Sequence, residues 1–463
     1  MRRDNGSKRV QQWAVGALLC CSLGVLACGG TRDAYDRVVV VTVSSLRSDH
    51  LTMNGYPRPT TPFLDELAEG GASFERAYAA SARGPLSLAT LLTGFEPLEH
   101  GLRSPEGRLG AETPTLAERL ASRGYRTAAF VSYWPYFEPR GLDRGFSHFD
   151  SPPELAQYPY RAADRTVDAA LSWLEEQGSA DPLFLLLHLH DPARPFRAPS
   201  VYLTTVVEGN SGPDYFGYLE REHGVPLGWY HWEHTKLNAV FNQYDAELRF
   251  VDTELRRLRE GLEVLGLLEG TLFVVTGVHG IGLGNHFWDS AGQVLYEEQV
   301  RVPMIVAATD GSVAPRRIDD VVSHKDLLPT VFALLGGEAA GEALTPAPSG
   351  RSLVPLFSGA GLEPRAAFLD RGESRPLSEG QERELERAPI RPGPGPLLGI
   401  VDTRWKLLDY AGADDELYDL ESDPLELENL LAEGAPAPPE ANRLREVLAE
   451  RSARASSAVP PAR

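Results

Sequence analysis

The stretch Val38–Leu51 reads VVVVTVSSLRSDHL, and the rest of the chain is best read outward from it. Val38–Val43 is an unbroken β-branched run, as in a strand of a parallel sheet covered on both faces. Polarity changes abruptly at Ser44, so the residues that follow form a loop at the carboxyl end of that strand, where open α/β sheets hold their ligands. Beyond this segment, helical and strand-like runs take turns. Thr115–Gly124 has helical spacing and stops at its glycine, and Thr127–Ser132 follows as a strand. Asp164–Glu176 predicts a helix and Leu183–His190 a second buried strand. Asp245–Leu267 is a long amphipathic helix, Thr271–Thr276 a third buried strand and Val302–Val306 a fourth. The alternation implies an α/β fold, a doubly wound and mostly parallel sheet flanked by helices, over residues 37–370.

Two segments break the pattern. Residues 201–235 are rich in aromatics and carry His223, His231 and His234 at irregular spacing, which reads as a lid or substrate-side insertion and not as a metal site. Residues 371–396 are charged and then Pro/Gly-rich, the composition of a mobile loop. After it Leu397–Tyr410 reads as a hairpin and Glu416–Leu430 as a turn into a short helix. Residues 397–432 are therefore expected to form a small C-terminal subdomain with a short antiparallel sheet, and 433–463 a flexible tail in which Ala/Pro-rich stretches alternate with an Arg/Glu-rich helix that trails off the domain.

The amino terminus reads as a targeting segment. Arg2, Arg3, Lys8 and Arg9 precede an apolar run from Trp13 to Ala27, the layout of a secretory signal and too short for a membrane span. The run ends in Val25-Leu26-Ala27-Cys28, which resembles a bacterial lipobox; a plain signal peptide or a short anchor helix is the competing reading. On the lipobox reading, residues 1–27 are a lipoprotein signal, Cys28 takes the lipid and 28–36 is a tether. The partner is then a bacterial membrane, and the chain sits in the cell envelope facing the periplasm or the exterior. All three cysteines (Cys20, Cys21, Cys28) lie in this leader, so no disulfide, thiolate metal site or cysteine nucleophile is available to the body. A net charge of −20 argues against nucleic acid as a partner.

Further motifs run along the chain in order. Tyr56-Pro57-Arg58-Pro59-Thr60-Thr61-Pro62 follows the first loop, and Gly84–Gly94 reads GPLSLATLLTG. Gly141-Leu142-Asp143-Arg144-Gly145-Phe146, His188-Leu189-His190-Asp191-Pro192 and Leu272–Gly280 (LFVVTGVHG) come next. Tyr296–Pro303 (YEEQVRVP), Asp326-Leu327-Leu328-Pro329-Thr330 and Glu416–Leu420 (ELYDL) close the series. Together, across residues 37–430, they resemble the sulfatases of the alkaline-phosphatase-like superfamily. That resemblance implies a calcium ion held by oxygen ligands from the first and later loops, and a nucleophile, formylglycine made from cysteine or serine, at the head of the GPLSLATLLTG segment.

At those places the chain departs from the family. Ser44 and Val278 stand where carboxylate ligands are implied, Ser45 is uncharged too, and Gly84 stands at the nucleophile position. His279 is the sole retained metal-ligand candidate, and one imidazole cannot hold calcium. Leu86 and Leu88 replace the proline and arginine that follow the nucleophile in the family, although Arg83 lies just upstream. Ala193 replaces a substrate-side histidine, and 288–295 has no lysine or histidine to grip a sulfate. His188, Asp191, Arg83 and Arg194 remain as substrate-side candidates, with Arg197 near them. Asp49, His50, Ser87, Thr90 and His286 lie near the loops as substitutes.

Two expectations follow. One is a non-catalytic pseudoenzyme, needing no cofactor, that binds a carbohydrate or anionic small molecule. The other is an active sulfuric or phosphoric ester hydrolase with an atypical site, which would need calcium. Ser44→Asp, Gly84→Cys and Val278→Asp together are expected to rebuild a calcium site.

Overall fold

The structure, a computed structural model, describes residues 35–104, 106–152, 160–178, 182–208, 234–286, 292–336, 344–373, 397–410, 415–432 and 436–458. The leader with Cys28, most of the tether, His223, His231 and most of 371–396 lie outside the described residues.

The β-branched run forms β1 (Arg37–Val43), every residue of it buried. It lies between β5 (Leu183–Leu189) and β6 (Thr271–Gly277) and is parallel to both. Beyond β5 stand β3 (Arg126–Val131) and β4 (His148–Asp150), also parallel. On the other side come β7 (Arg301–Ala308), β2 (Ala72–Tyr78) and β8 (Arg316–Ser323), giving the order β4-β3-β5-β1-β6-β7-β2-β8. β7 runs antiparallel to both its neighbours.

Side-chain alternation along β1 divides the core in two. Val39, Val41 and Val43 join the cluster under the helices His234–Val264 and Ala163–Gln177, whereas Val38 and Val40 join the cluster under Gly84–Thr93, Leu116–Ser122 and Leu327–Leu334. A helix covers each face, which is why the strand can be apolar throughout. Helix Leu116–Ser122 starts where the sequence places it, because Thr115 and Glu118 close a capping box.

The smaller sheet is antiparallel, in the order β12-β11-β10-β9, with β9 at Ala367–Asp370, β10 at Leu397–Val401, β11 at Trp405–Tyr410 and β12 at Glu416–Asp419. Two expectations are corrected here. Glu416–Asp419 is a strand, because Leu417 and Tyr418 point into different clusters on the two faces of this sheet. Within 433–463, expected as a flexible tail, Pro439–Ala458 is a helix whose Ala441, Leu444 and Leu448 are buried against Phe368, Leu407 and Leu417.

Candidate functional site

The three central strands end in register, with Val43 opposite both Leu189 and Gly277. Ser44, His190 and Val278 are therefore the next residues on neighbouring strands, at one edge of the sheet. The backbone ladder continues through them: Ser44 N–H donates to Leu189 O at 2.9 Å and Val278 N–H to Val43 O at 2.7 Å. Ser45 has φ +56°, left-handed backbone that costs a non-glycine residue on the order of 1–2 kcal/mol. Tyr244, from the long helix His234–Val264, holds this turn by donating to Ser45 O at 2.7 Å while accepting from Arg47 N–H at 3.0 Å. The loop geometry is thus maintained although its first two residues carry no charge.

Imidazoles dominate what surrounds Ser44. His188 is fully buried, with Nδ1 3.0 Å from Thr42 Oγ1 and Nε2 3.5 Å from Ser44 Oγ. Burial, with His279 adding to it, lowers its pKa to about 3, so it is neutral at physiological pH. His279 donates from Nδ1 to Gly280 O at 2.7 Å, and its Nε2 has no hydrogen-bond partner among the described residues. Burial lowers its pKa as well. His190 stacks on Tyr133 with ring centroids 4.3 Å apart. Asp191 is buried with Oδ2 unpartnered, and burial followed by the nearby Glu247 carboxylate pushes its carboxyl well above the usual range.

Gly84 opens the helix Gly84–Thr93. A Cβ built on it would lie 2.1 Å from Cε2 of Tyr136, so an aromatic ring stands where a side chain at position 84 would begin. Leu88, at the implied arginine position, faces the sheet core. Arg83 points away from the Gly84 backbone, donating from Nε to Gly292 O at 3.1 Å and from its guanidinium to Glu373 O. Arg194 lies over the Phe196 ring and Arg197 over the Tyr160 ring.

The substitutes are committed elsewhere. Ser87 is within 2.9 Å of His324 Nδ1, a spacing that suits a nucleophile and its base. Both residues are fully buried, however, and the hydroxyl donates to Val278 O at 2.6 Å, so the pair ties the helix to the later loop. Asp49 pairs with Arg47 at 2.6 Å. His50 pairs with Asp245, Thr90 lies 3.2 Å from His100, and His286 is held by Glu298. Ser44, Val278, His279 and His188 lie on or just past the ends of neighbouring strands, and sequence reading names all four. It misses Tyr133 and Tyr136, which come from an aromatic run with no diagnostic spacing, Tyr133–Phe137.

Calcium takes six or more oxygen ligands and favours carboxylates. At the strand ends Ser44 and Ser45 offer hydroxyls and His279 an imidazole, the Asp49 carboxylate further along the first loop is paired with Arg47, and no group of three or more His, Cys, Asp or Glu that could hold a metal ion occurs among the described residues. The donor set does not fit the cation.

A parallel-centred sheet with helices on both faces, loops at its strand ends and a small antiparallel sheet beside it defines a doubly wound α/β protein. Within that class the chain belongs to the sulfatase family, whose model matches residues 36–337. It is 28% identical to human arylsulfatase A over 381 residues, covering 74% of this chain and 72% of that protein. It is 23% identical to the N-acetylglucosamine-6-O-sulfatase of Bacteroides thetaiotaomicron over 455 residues, covering 80% and 78%. Among solved structures, the phosphonate monoester hydrolase of Agrobacterium radiobacter superposes with a TM-score of 0.70 at 22% identity, covering 91% of this chain and 95% of that one. A structure bound to its substrate D-glucosamine-2-N,6-O-disulfate gives 0.72 at 19% identity, covering 92% and 99%. At those identities the structural likeness concerns the fold.

Proposed function

We propose that this chain is a non-catalytic member of the sulfatase family that binds a carbohydrate or a small anion, held at the bacterial cell envelope by a lipid on Cys28. One observation carries the first part. The strand-end loops are held by backbone hydrogen bonds that extend the sheet ladder, yet Ser44, Gly84 and Val278 place neither a carboxylate nor a nucleophile there. Loss of an electrostatic or nucleophilic group at such a centre removes several kcal/mol of transition-state stabilisation, and here three positions have changed together. A sulfate or phosphate ester could be bound in this family's fold and would leave unchanged.

The test is turnover of an aryl sulfate and an aryl phosphate by the purified chain at saturating calcium. No metal-dependent release of phenol is expected. Metal-dependent release by the wild type that disappears in His279→Ala would show another nucleophile at work, and the active-hydrolase reading would replace this one.

A further inference from the structure

Gly84 is not a residue that its backbone requires. It begins a helix after Arg83 in extended conformation and is not among the glycines with positive φ. Its backbone conformation admits alanine, since Gly84 is the first residue of the helix and needs no positive φ. Space is the constraint: an added Cβ would meet Tyr136 at Cε2, Cζ and Cδ2, at 2.1, 2.5 and 2.7 Å. The ring is half-buried and touches three others. It meets Tyr133 edge-on at 4.9 Å and His190 edge-on at 5.3 Å, and lies 6.0 Å from His188. The next residue, Phe137, is fully buried and packs edge-on against His188 at 5.1 Å. Swinging Tyr136 aside would disturb this aromatic and imidazole stack, whose offset and edge-on contacts each add to stability.

We infer that Tyr136 has taken the volume of the nucleophile's side chain, so that positions 84 and 136 are a coupled pair. Any side chain at 84 needs a smaller residue at 136. The inference rests on the non-catalytic reading and deepens it, because the centre has been filled as well as stripped. It also corrects the expectation that Ser44→Asp, Gly84→Cys and Val278→Asp suffice to rebuild the calcium site: the cysteine would collide with the Tyr136 ring, and a fourth change, Tyr136→Ala, is needed.

The thermal midpoint of the full chain reads this coupling. Gly84→Ala is expected to lower the midpoint in the wild-type and Tyr136→Phe backgrounds, and to leave it unchanged or raise it in the Tyr136→Ala background. The reversal of sign is the signature, since phenylalanine keeps the ring and alanine removes it. An equal lowering in all three backgrounds overturns the inference. If Gly84→Ala alone does not fold, recovery of folded protein in the double variant supports the pair, and failure of the double where Tyr136→Ala folds overturns it. A measurement on the unaltered chain stands beside these: with glycine and tyrosine selectively labelled, a nuclear Overhauser contact is expected between the Gly84 α-protons and the Tyr136 ring, and its absence overturns the inference. Aryl sulfate turnover by the wild type would end the non-catalytic reading and leave the coupling standing. Additive variants would do the reverse.

Discussion

Two histidine environments lie close in sequence and have opposite electrostatics. His279 lies two residues beyond the end of β6, and burial lowers its pKa and favours the neutral ring. For His286 burial also opposes protonation, but the Glu298 carboxylate 2.8 Å away, with Glu426 behind it, outweighs this and lifts the pKa to about 9. A raised histidine pKa stabilises the fold fully below the unfolded value, near 6.5, and the contribution is lost as pH rises through about 9. His286→Gln is therefore expected to cost most stability at pH 6, with the gap to wild type shrinking by pH 10. Urea unfolding at the two values checks this, and a gap independent of pH would contradict it. At this scale the lost groups, Ser44, Gly84 and Val278, were legible because flanking motifs locate each position. Tyr136 was not, since its role depends on a through-space approach from a segment some fifty positions away that carries no motif.

Elements were legible where one period dominates. The apolar runs of β1, β5 and β6 are buried on both faces, so continuous hydrophobicity names them with little ambiguity. β2 (ASFERAY) and β8 (RRIDDVVS) went unrecognised because charged residues interrupt both, and their pairing becomes clear only beside β7. The C-terminal helix was legible as an Arg/Glu-rich run, but its docking was not, because Ala/Pro-rich flanks suggest a free tail although Ala441, Leu444 and Leu448 recur at helical spacing. Its attachment has a second component: Arg451 pairs with buried Glu96, which also pairs with Lys325. Leu444→Ala is expected to destabilise the protein by about 2–5 kcal/mol, the range for truncating a buried leucine, as read by denaturant titration. An unchanged midpoint would mean that the smaller sheet folds without this helix.

For the whole molecule, the order of strand and helix was enough to place the chain in a doubly wound class, and collinear motifs were enough for the family. The reversed direction of β7 was beyond that reading, because strand periodicity carries no information about direction. No helix among the described residues is long and apolar enough to cross a membrane. On the proposed lipid anchor, Cys28→Ala should move the protein from the membrane pellet to the supernatant after cell fractionation, because a single acylated residue would carry the attachment. Continued sedimentation with membranes would contradict the anchor.

The account depends most on the claim that a sulfatase scaffold here has no cation-binding chemistry left at its strand ends. Calorimetric titration of the purified chain with calcium tests that claim most directly, with His279→Ala run in parallel. The expected result is no stoichiometric binding that depends on His279, since Ser44 and Val278 supply no charge and Tyr136 fills the adjoining space. One calcium per chain, bound tightly by the wild type and lost in His279→Ala, would contradict it.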